Sequence, residues 1–477
     1  MSATLDRRSF LKVAGGTAAA AVLAACAPTS PATQAPAEQS ADQPAEPPAA
    51  EDVTLQWAMY QYEPWLLFLK EMFAEYKESN PNVSVELVEA PWGEFWPKLE
   101  SMAAAGDPVN ISICEPQYFL PWWERDLLLD LNPLADTVDE SIFFPYVRCS
   151  CLYNEETQFM GCSSGGSVLP AWPGNGVAWI VYMNMDMVKA AGLDYPDENW
   201  TWDDWREYAI AMTIDANGNH PGQSDFDKNN VEQYGTCHVF GWADRKAIKS
   251  WIYHAGGRHW DDEQTKCMMT DPEALAAIND MYDLATKLGT SPAPGGFEGI
   301  AQPFLTGKIG MHMTGSWNVD PWATELTDFE WDIARLPIGP GGPDSRFGHT
   351  GWGNQLAIFK GSSNQDETQE IFKWALMTKE GTSYFGRAGI PLVRDAVDSA
   401  WLDFPDGKHL PAHRELQVTC MEEENANNTI EPAGPKNNDL YTVIQTAMDE
   451  IRLDRITPDE FAQQCCEGFE KVWAEDF

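Results

Sequence analysis

Four groups of residues in the chain have types and spacings that could do chemistry. Gly161-Cys162-Ser163-Ser164-Gly165 fits the G-x-S-x-G pattern of serine hydrolases. That pattern needs a strand before the serine and a helix after it. Here Gly166, Ser167 and Pro170 follow, which are poor helix formers, so the reading favours a flexible connection. Asp225, Asp227 and Asn229 alternate like the ligands of a calcium loop, but Asn230 stands where the loop needs glycine and Thr236 where it needs glutamate. His254 and His259 flank Gly256-Gly257 and lack the glutamate of H-E-x-x-H. We therefore expect no metal, no cofactor and no catalytic residues. The acidic residues are numerous enough to allow a catalytic pair, which makes a secreted glycosidase or other hydrolase the enzymatic alternative. No P-loop is present, so the chain does not itself hydrolyse ATP.

The fourth group suits binding. The chain has 21 tryptophans, and several fall outside predicted elements. Pyranose rings present C–H patches that stack on aromatic faces, and their hydroxyls need polar partners. Trp92, Trp172, Trp242, Trp317 and Trp352 lie near predicted strand ends or a crossover, and each also fits a core position. Glu115, Gln117, Asn354 and Arg394 are the candidates for hydroxyl hydrogen bonds.

The elements that must position these residues are legible in part. Val53–Met59 reads as a strand, Pro64–Ser79 as an amphipathic helix, Val83–Val88 as a strand, Gly93–Ala105 as a helix and Val109–Cys114 as a strand. This βαβαβ opening implies a parallel sheet. Gly161–Gly176, rich in Gly, Ser and Pro, reads as a crossing to a second lobe. Val177–Met183 follows as a strand, and Thr201 caps a helix with Asp204 three residues on. Asp271-Pro272 opens a helix ended by Gly289. Pro303–Thr306 forms a helical turn closed by Gly307, and Lys308–Met313 a buried strand that stops at Gly315-Ser316, with Trp317 at its carboxyl end. In open α/β sheets that end is where ligands sit. Trp331–Leu336 and Gly353–Phe359 are strands, Glu367–Lys379 is a helix closed by Gly381, and Thr457-Pro458 with Glu460 opens the last helix.

Taken in order, these stretches resemble the extracellular solute-binding proteins of ABC sugar importers, the family that includes maltose-binding protein. The resemblance covers about residues 53–477. It rests on Ala104-Ala105-Gly106-Asp107-Pro108, Asp126-Leu127-Leu128-Leu129-Asp130-Leu131, Asn184-Met185-Asp186 with Ala191-Gly192-Leu193, Phe304 to Trp317, and Ile390-Pro391-Leu392-Val393-Arg394. It implies a type II periplasmic-binding-protein fold: two discontinuous α/β lobes, a hinge and a central cleft. Lobe one takes 52–168 plus 308–360, and lobe two 169–307 plus 361–477. It also implies a sugar-facing role for Trp317, a glycine-rich turn at the cleft around Trp352, and a site arginine at Arg394. The implied function is capture of a neutral mono- or oligosaccharide by lobe closure and its delivery to ABC permease subunits, by a monomer that is not an enzyme.

The N-terminus agrees with export. Arg7-Arg8-Ser9-Phe10-Leu11-Lys12 reads as a twin-arginine signal, and Leu23-Ala24-Ala25-Cys26 resembles a lipobox, in which Cys26 is lipidated. Residues 1–26 are thus the signal, and 27–51, rich in Pro and Ala, an unfolded tether of roughly 3 Å per residue. The expected location is the outer face of the cell membrane or the periplasm. The formal charge is −42, and the signal (Arg7, Arg8 and Lys12 against Asp6) carries +2, which leaves −44 on the rest. Such a charge excludes nucleic acid as a partner and disfavours an anionic ligand. Ten cysteines, less Cys26, leave an odd number, and neither Cys149/Cys151 nor Cys465/Cys466 has zinc spacing. Their pairing cannot be read from the sequence.

Overall fold

The structure is a computed structural model that describes residues 51–474, apart from 238–243, 293–302, 347–353, 403–410, 423–433 and 435. Cys26, Trp242 and Trp352 lie outside the described residues, as does the side chain of Gln117. No described helix is long and apolar enough to cross a membrane.

Twelve strands are formed by the described residues: β1 (Val53–Tyr60), β2 (Val83–Ala90), β3 (Ile111–Cys114), β4 (Tyr153–Asn154), β5 (Phe159–Met160), β6 (Trp172–Pro173), β7 (Trp179–Asn184), β8 (Ile214–Asp215), β9 (Val231–Cys237), β10 (Ile309–Gly315), β11 (Trp331–Ala334) and β12 (Gln355–Ile358). They build two five-stranded sheets, ordered β2-β1-β3-β12-β6 and β11-β7-β10-β9-β8, and a small β4-β5 ribbon. β1 is parallel to β2 and β3, as the βαβαβ opening requires. β12 returns antiparallel to β3, so Gln355 lies opposite Cys114.

The first sheet draws on residues before Pro173 and on 355–358, so it is discontinuous in sequence. The chain leaves it after Pro173 and returns between Ala334 and Gln355. The expected boundaries need three corrections. β10 and β11 belong to the second sheet, because β10 pairs with β7 and β9, and β11 with β7. The stretch 308–334 is therefore not part of lobe one. Trp172-Pro173 pairs with β12 in the first sheet, so the crossing begins after Pro173. Residues 365–402 pack on the first core rather than the second: Phe385 meets Trp65 at 5.3 Å and Phe68 at 5.2 Å between ring centroids. Among the described residues after 361, the helices Asn437–Ile451 and Pro458–Ala474 are the ones that carry their apolar faces into the second core, with Ile444, Met448, Phe461 and Phe469.

Several local signals act as their chemistry predicts. Thr201 and Asp204 form a reciprocal capping box, and Thr457 with Glu460 forms another. Gly307 has φ +70°, which ends the turn Pro303–Thr306. Gly381, by contrast, does not close a helix. It lies buried inside a second helix, Lys379–Phe385, where a Cβ would fall 2.1 Å from the Trp374 carbonyl oxygen. Close helix packing, not a left-handed cap, requires that glycine.

Candidate functional site

The G-x-S-x-G stretch is held as a turn. Cys162 is disulfide-bonded to Cys149, the Ser164 hydroxyl donates to the carbonyls of Leu152 and Gly161, and no helix follows. The local structure of a nucleophile elbow is missing. Asp215, just before the calcium-like residues, spends its carboxylate on the N–H groups of Asn217, Asn219 and Asp227 and on the Asn219 amide. Among the described residues no cluster of three or more His, Cys, Asp or Glu could hold a metal. The second disulfide joins Cys267 to Cys466. Each neighbouring cysteine pair thus contributes one member to a bridge and leaves one buried thiol, Cys151 and Cys465.

Three of the candidate binding residues, Trp92, Glu115 and Asn354, lie at the carboxyl edge of the first sheet. β1 ends at Tyr60, β3 is followed by Glu115, and β12, running the other way, is preceded by Asn354. The Tyr60 hydroxyl donates to Asn354 Oδ1 at 3.3 Å. Burial, and then the neighbouring Glu115 carboxylate, push the Tyr60 hydroxyl far above its usual range, so it stays a neutral donor. Trp92 begins the helix Trp92–Ala104 that follows β2. Its ring stands edge-on to Tyr60 at 4.7 Å and to Trp96 at 5.2 Å. Trp96 in turn stacks flat on Tyr118 at 3.8 Å. Trp92 is exposed, and Tyr60, Glu115, Tyr118 and Asn354 are half-buried, so the patch is an open aromatic surface with polar groups at its rim.

On the second sheet, Trp317 follows β10 and packs at 5.5 Å on Trp179 of the second core. Tyr62 stands two residues after β1 and is half-buried. Burial and the carboxylates of Glu325 and Asp320, on the helix Val319–Glu325 just after Trp317, push its hydroxyl up to about 12. Tyr62, at the edge of the first sheet, is thus within electrostatic reach of the segment that follows Trp317.

Two candidates lie elsewhere. Trp172 is buried, with its ring at 5.2 Å from Phe143. It is a core residue, because β6 is covered on that face. Arg394 donates to the Phe143 carbonyl and pairs with Glu422 at 3.1 Å. Its guanidinium lies 5.1 Å from the Phe144 ring, so it joins the loop at 143–144 to the helix Leu416–Glu422 rather than meeting Tyr60 or Asn354. The residues that sequence reasoning missed are Tyr60, Tyr62, Trp96 and Tyr118. The signal was present for Tyr60, which ends a predicted parallel strand just as Trp317 does.

The family model for bacterial extracellular solute-binding protein matches residues 66–381. Three solved structures share the fold. An ABC substrate-binding protein from Listeria monocytogenes, in complex with cycloalternan, is 17% identical with a TM-score of 0.70, over 89% of this chain and 99% of that one. The GacH receptor of Streptomyces glaucescens, solved unliganded and with acarbose, is 18% identical with a TM-score of 0.65, over 88% and 98%. Maltose-bound MalE3 of T. maritima is 19% identical with a TM-score of 0.64, over 88% and 99%. At these identities the likeness is one of fold, the two-lobed α/β architecture of type II periplasmic binding proteins.

Proposed function

The chain belongs to the bacterial extracellular solute-binding protein family, and on that premise we propose that it captures a neutral sugar or oligosaccharide and passes it to the permease subunits of an ABC importer. The observation that carries this reading is the half-exposed patch of Tyr60, Trp92, Tyr118, Glu115 and Asn354. Aromatic faces suit the C–H side of a pyranose, and the polar rim suits its hydroxyls. The net charge of −42 argues for an uncharged ligand. Trp317 supplies an aromatic group from the second lobe, and hinge closure brings the two halves onto the ligand. The protein acts as a monomer, held by a lipid on Cys26 at the outer face of the membrane, with residues 27–51 as its tether.

The test is a thermal-shift screen of neutral mono- and oligosaccharides, followed by calorimetry on the compounds that raise the melting temperature. Chromatography of the same mixtures after long incubation reads out any hydrolysis. Stoichiometric binding with the sugar recovered intact supports the proposal. Steady product formation would replace it with a glycosidase, and the absence of any bound sugar would sink both.

A further inference from the structure

The nine described cysteines divide by burial, and the division matches their pairing. Cys149, Cys162, Cys267 and Cys466 are half-buried and form the two disulfides. Cys114, Cys151, Cys237, Cys420 and Cys465, outside the disulfides, are all buried. Local geometry decides which member of a neighbouring pair is which. On the helix Pro458–Ala474, Phe461, Cys465 and Phe469 recur every four residues and share the face turned into the second core, while Cys466 stands about 100° further round. In the turn Cys149–Cys151, Cys151 is 0% exposed and its sulfur receives the Ser150 hydroxyl at 3.8 Å, while Cys149 stays at the edge of the core.

Each disulfide joins cysteines that other contacts already hold together. The backbone of Cys267 makes an antiparallel β-contact with Trp260, whose ring meets Phe469 edge-on at 5.3 Å, and Phe469 lies one helical turn from Cys466. Gln264, in the same loop, donates to Asn437 at the start of the helix Asn437–Ile451. Apolar packing and hydrogen bonds thus dock the two C-terminal helices on this loop without a covalent link. Cys149 and Cys162 lie on either side of the β4-β5 ribbon, where Tyr153 pairs with Met160 and the Gly161 N–H donates to the Leu152 carbonyl at 3.0 Å.

An unfolded chain has no means of choosing these pairs. Nine cysteines allow many pairings, and loop closure favours partners near in sequence. Cys151 is closer to Cys162 in sequence than Cys149 is, and Cys237 is far closer to Cys267 than Cys466, which lies 199 residues away. In the folded chain, access makes the choice. The thiolate is the attacking species in disulfide exchange. Burial pushes the Cys151 thiol up to about 12 and the Cys114 and Cys465 thiols well above their usual range, so these sulfurs stay protonated as well as covered.

We infer that the chain folds first in its reduced form, and that its two disulfides are made afterwards on the folded protein by an oxidant that reaches Cys149 with Cys162 and Cys267 with Cys466, and no other thiol. The partner is a disulfide-bearing thiol oxidant. One cysteine thiolate of a pair attacks its disulfide to give a mixed disulfide, and the thiolate of the second cysteine displaces it. Two protons and two electrons pass from the cysteine pair to the oxidant, whose disulfide leaves as two thiols. This order suits the twin-arginine reading, in which a folded chain leaves a reducing compartment. It goes beyond the sugar-binding reading and does not depend on it.

The experiment compares two routes of oxidation of the full chain, carrying Cys26→Ser so that the signal contributes no thiol. One sample is reduced with dithiothreitol in native buffer and the other in guanidinium. Each is then oxidised with glutathione disulfide in the solvent in which it was reduced, and the pairings are mapped by peptide mass spectrometry. The native reduced sample is expected to stay folded by circular dichroism, with a lower melting temperature. Its Cys149, Cys162, Cys267 and Cys466 are expected to react with iodoacetamide on the order of tenfold or more faster than the five buried thiols. On oxidation it regains Cys149–Cys162 and Cys267–Cys466 alone, while the guanidinium sample gives mixed pairings. A disulfide at Cys151 or Cys465 in the native sample overturns the inference, and so does native pairing in guanidinium, since the sequence and not the fold would then select the partners. Where native reduction is incomplete, the double variant Cys149→Ser with Cys267→Ser decides, because it can form neither disulfide. Cooperative melting of that variant supports the inference, and an unfolded chain overturns it.

Discussion

The ring of Trp317 lies directly over Gly315, so closely that a Cβ at Gly315 would fall 2.0 Å from Trp317 Cζ3. The glycine is there for the tryptophan: its φ of −79° is open to any residue, so space and not backbone conformation excludes a side chain. The pair Gly315–Trp317 thus fixes the direction in which the indole leaves the end of β10.

That relationship gives the first prediction. If Trp317 contacts the sugar, Trp317→Ala weakens binding on the order of thirtyfold, about 2 kcal/mol. Gly315→Ala displaces the ring and weakens binding in the same direction. Calorimetry with melting curves checks both. Wild-type affinity in two folded variants would assign Trp317 to packing against Trp179.

Trp92 is the converse case. It is 39% exposed, so little of the fold depends on it. Trp92→Ala is expected to weaken sugar binding on the order of tenfold or more and to leave the melting temperature within a few degrees of wild type. Tyr60→Phe removes the donor to Asn354 and is expected to weaken binding by about 0.5–1.5 kcal/mol. A Trp92→Ala variant that melts early but binds normally would remove the aromatic edge from the site.

Arg414 and Asp320 are both nearly buried, and the Arg414 guanidinium lies 3.9 Å from the Trp401 ring. Removing one member of such a pair leaves a charge without compensation, at about 3–5 kcal/mol. Arg414→Met is expected to lose about that much in urea unfolding. Asp320→Asn combined with Arg414→Met is expected to recover most of it, since neither charge is then buried. A double variant no more stable than Arg414→Met would show that packing on Trp401 carries the effect.

Asp215 predicts a pH dependence. Burial acts to raise its pKa, but N–H donors from Asp227, Asn219 and Asn217 more than offset that and hold it down at about 2. The unfolded value is about 3.9. The folded state therefore prefers the carboxylate, and its contribution is present above about pH 4 and lost as pH falls towards 2. The stability gap between wild type and Asp215→Asn, measured by denaturant at several pH values, is expected to shrink over that window. A gap constant down to pH 2 would contradict the hydrogen bonding assigned to this loop.

Export is tested separately. Cys26→Ser is expected to release the protein from the membrane fraction, and Lys at both Arg7 and Arg8 to block export of folded protein. Both follow from the lipobox and twin-arginine patterns. Membrane attachment of Cys26→Ser, read by fractionation, would remove the lipoprotein reading.

The sequence by itself determined the local elements and their chemistry. The opening βαβαβ unit, the capping boxes at Thr201 and Thr457, the left-handed Gly307 and the failure of the calcium pattern all follow from neighbours within a few residues, where capping, periodicity and turn geometry act. It also placed Glu115 and Asn354 near strand ends, and with them part of the candidate site. Only the tertiary structure decided which sheet a strand joins. β10 is apolar along its whole length and could enter either sheet, and only pairing with β7 and β9 puts Trp317 on the second lobe. Likewise, only packing shows that Trp172 is core while Trp92 is exposed, since both are tryptophans beside a strand end. The Arg414–Asp320 pair gave no local signal at all: its members lie 94 residues apart in sequence, a separation at which propensity and periodicity carry no information.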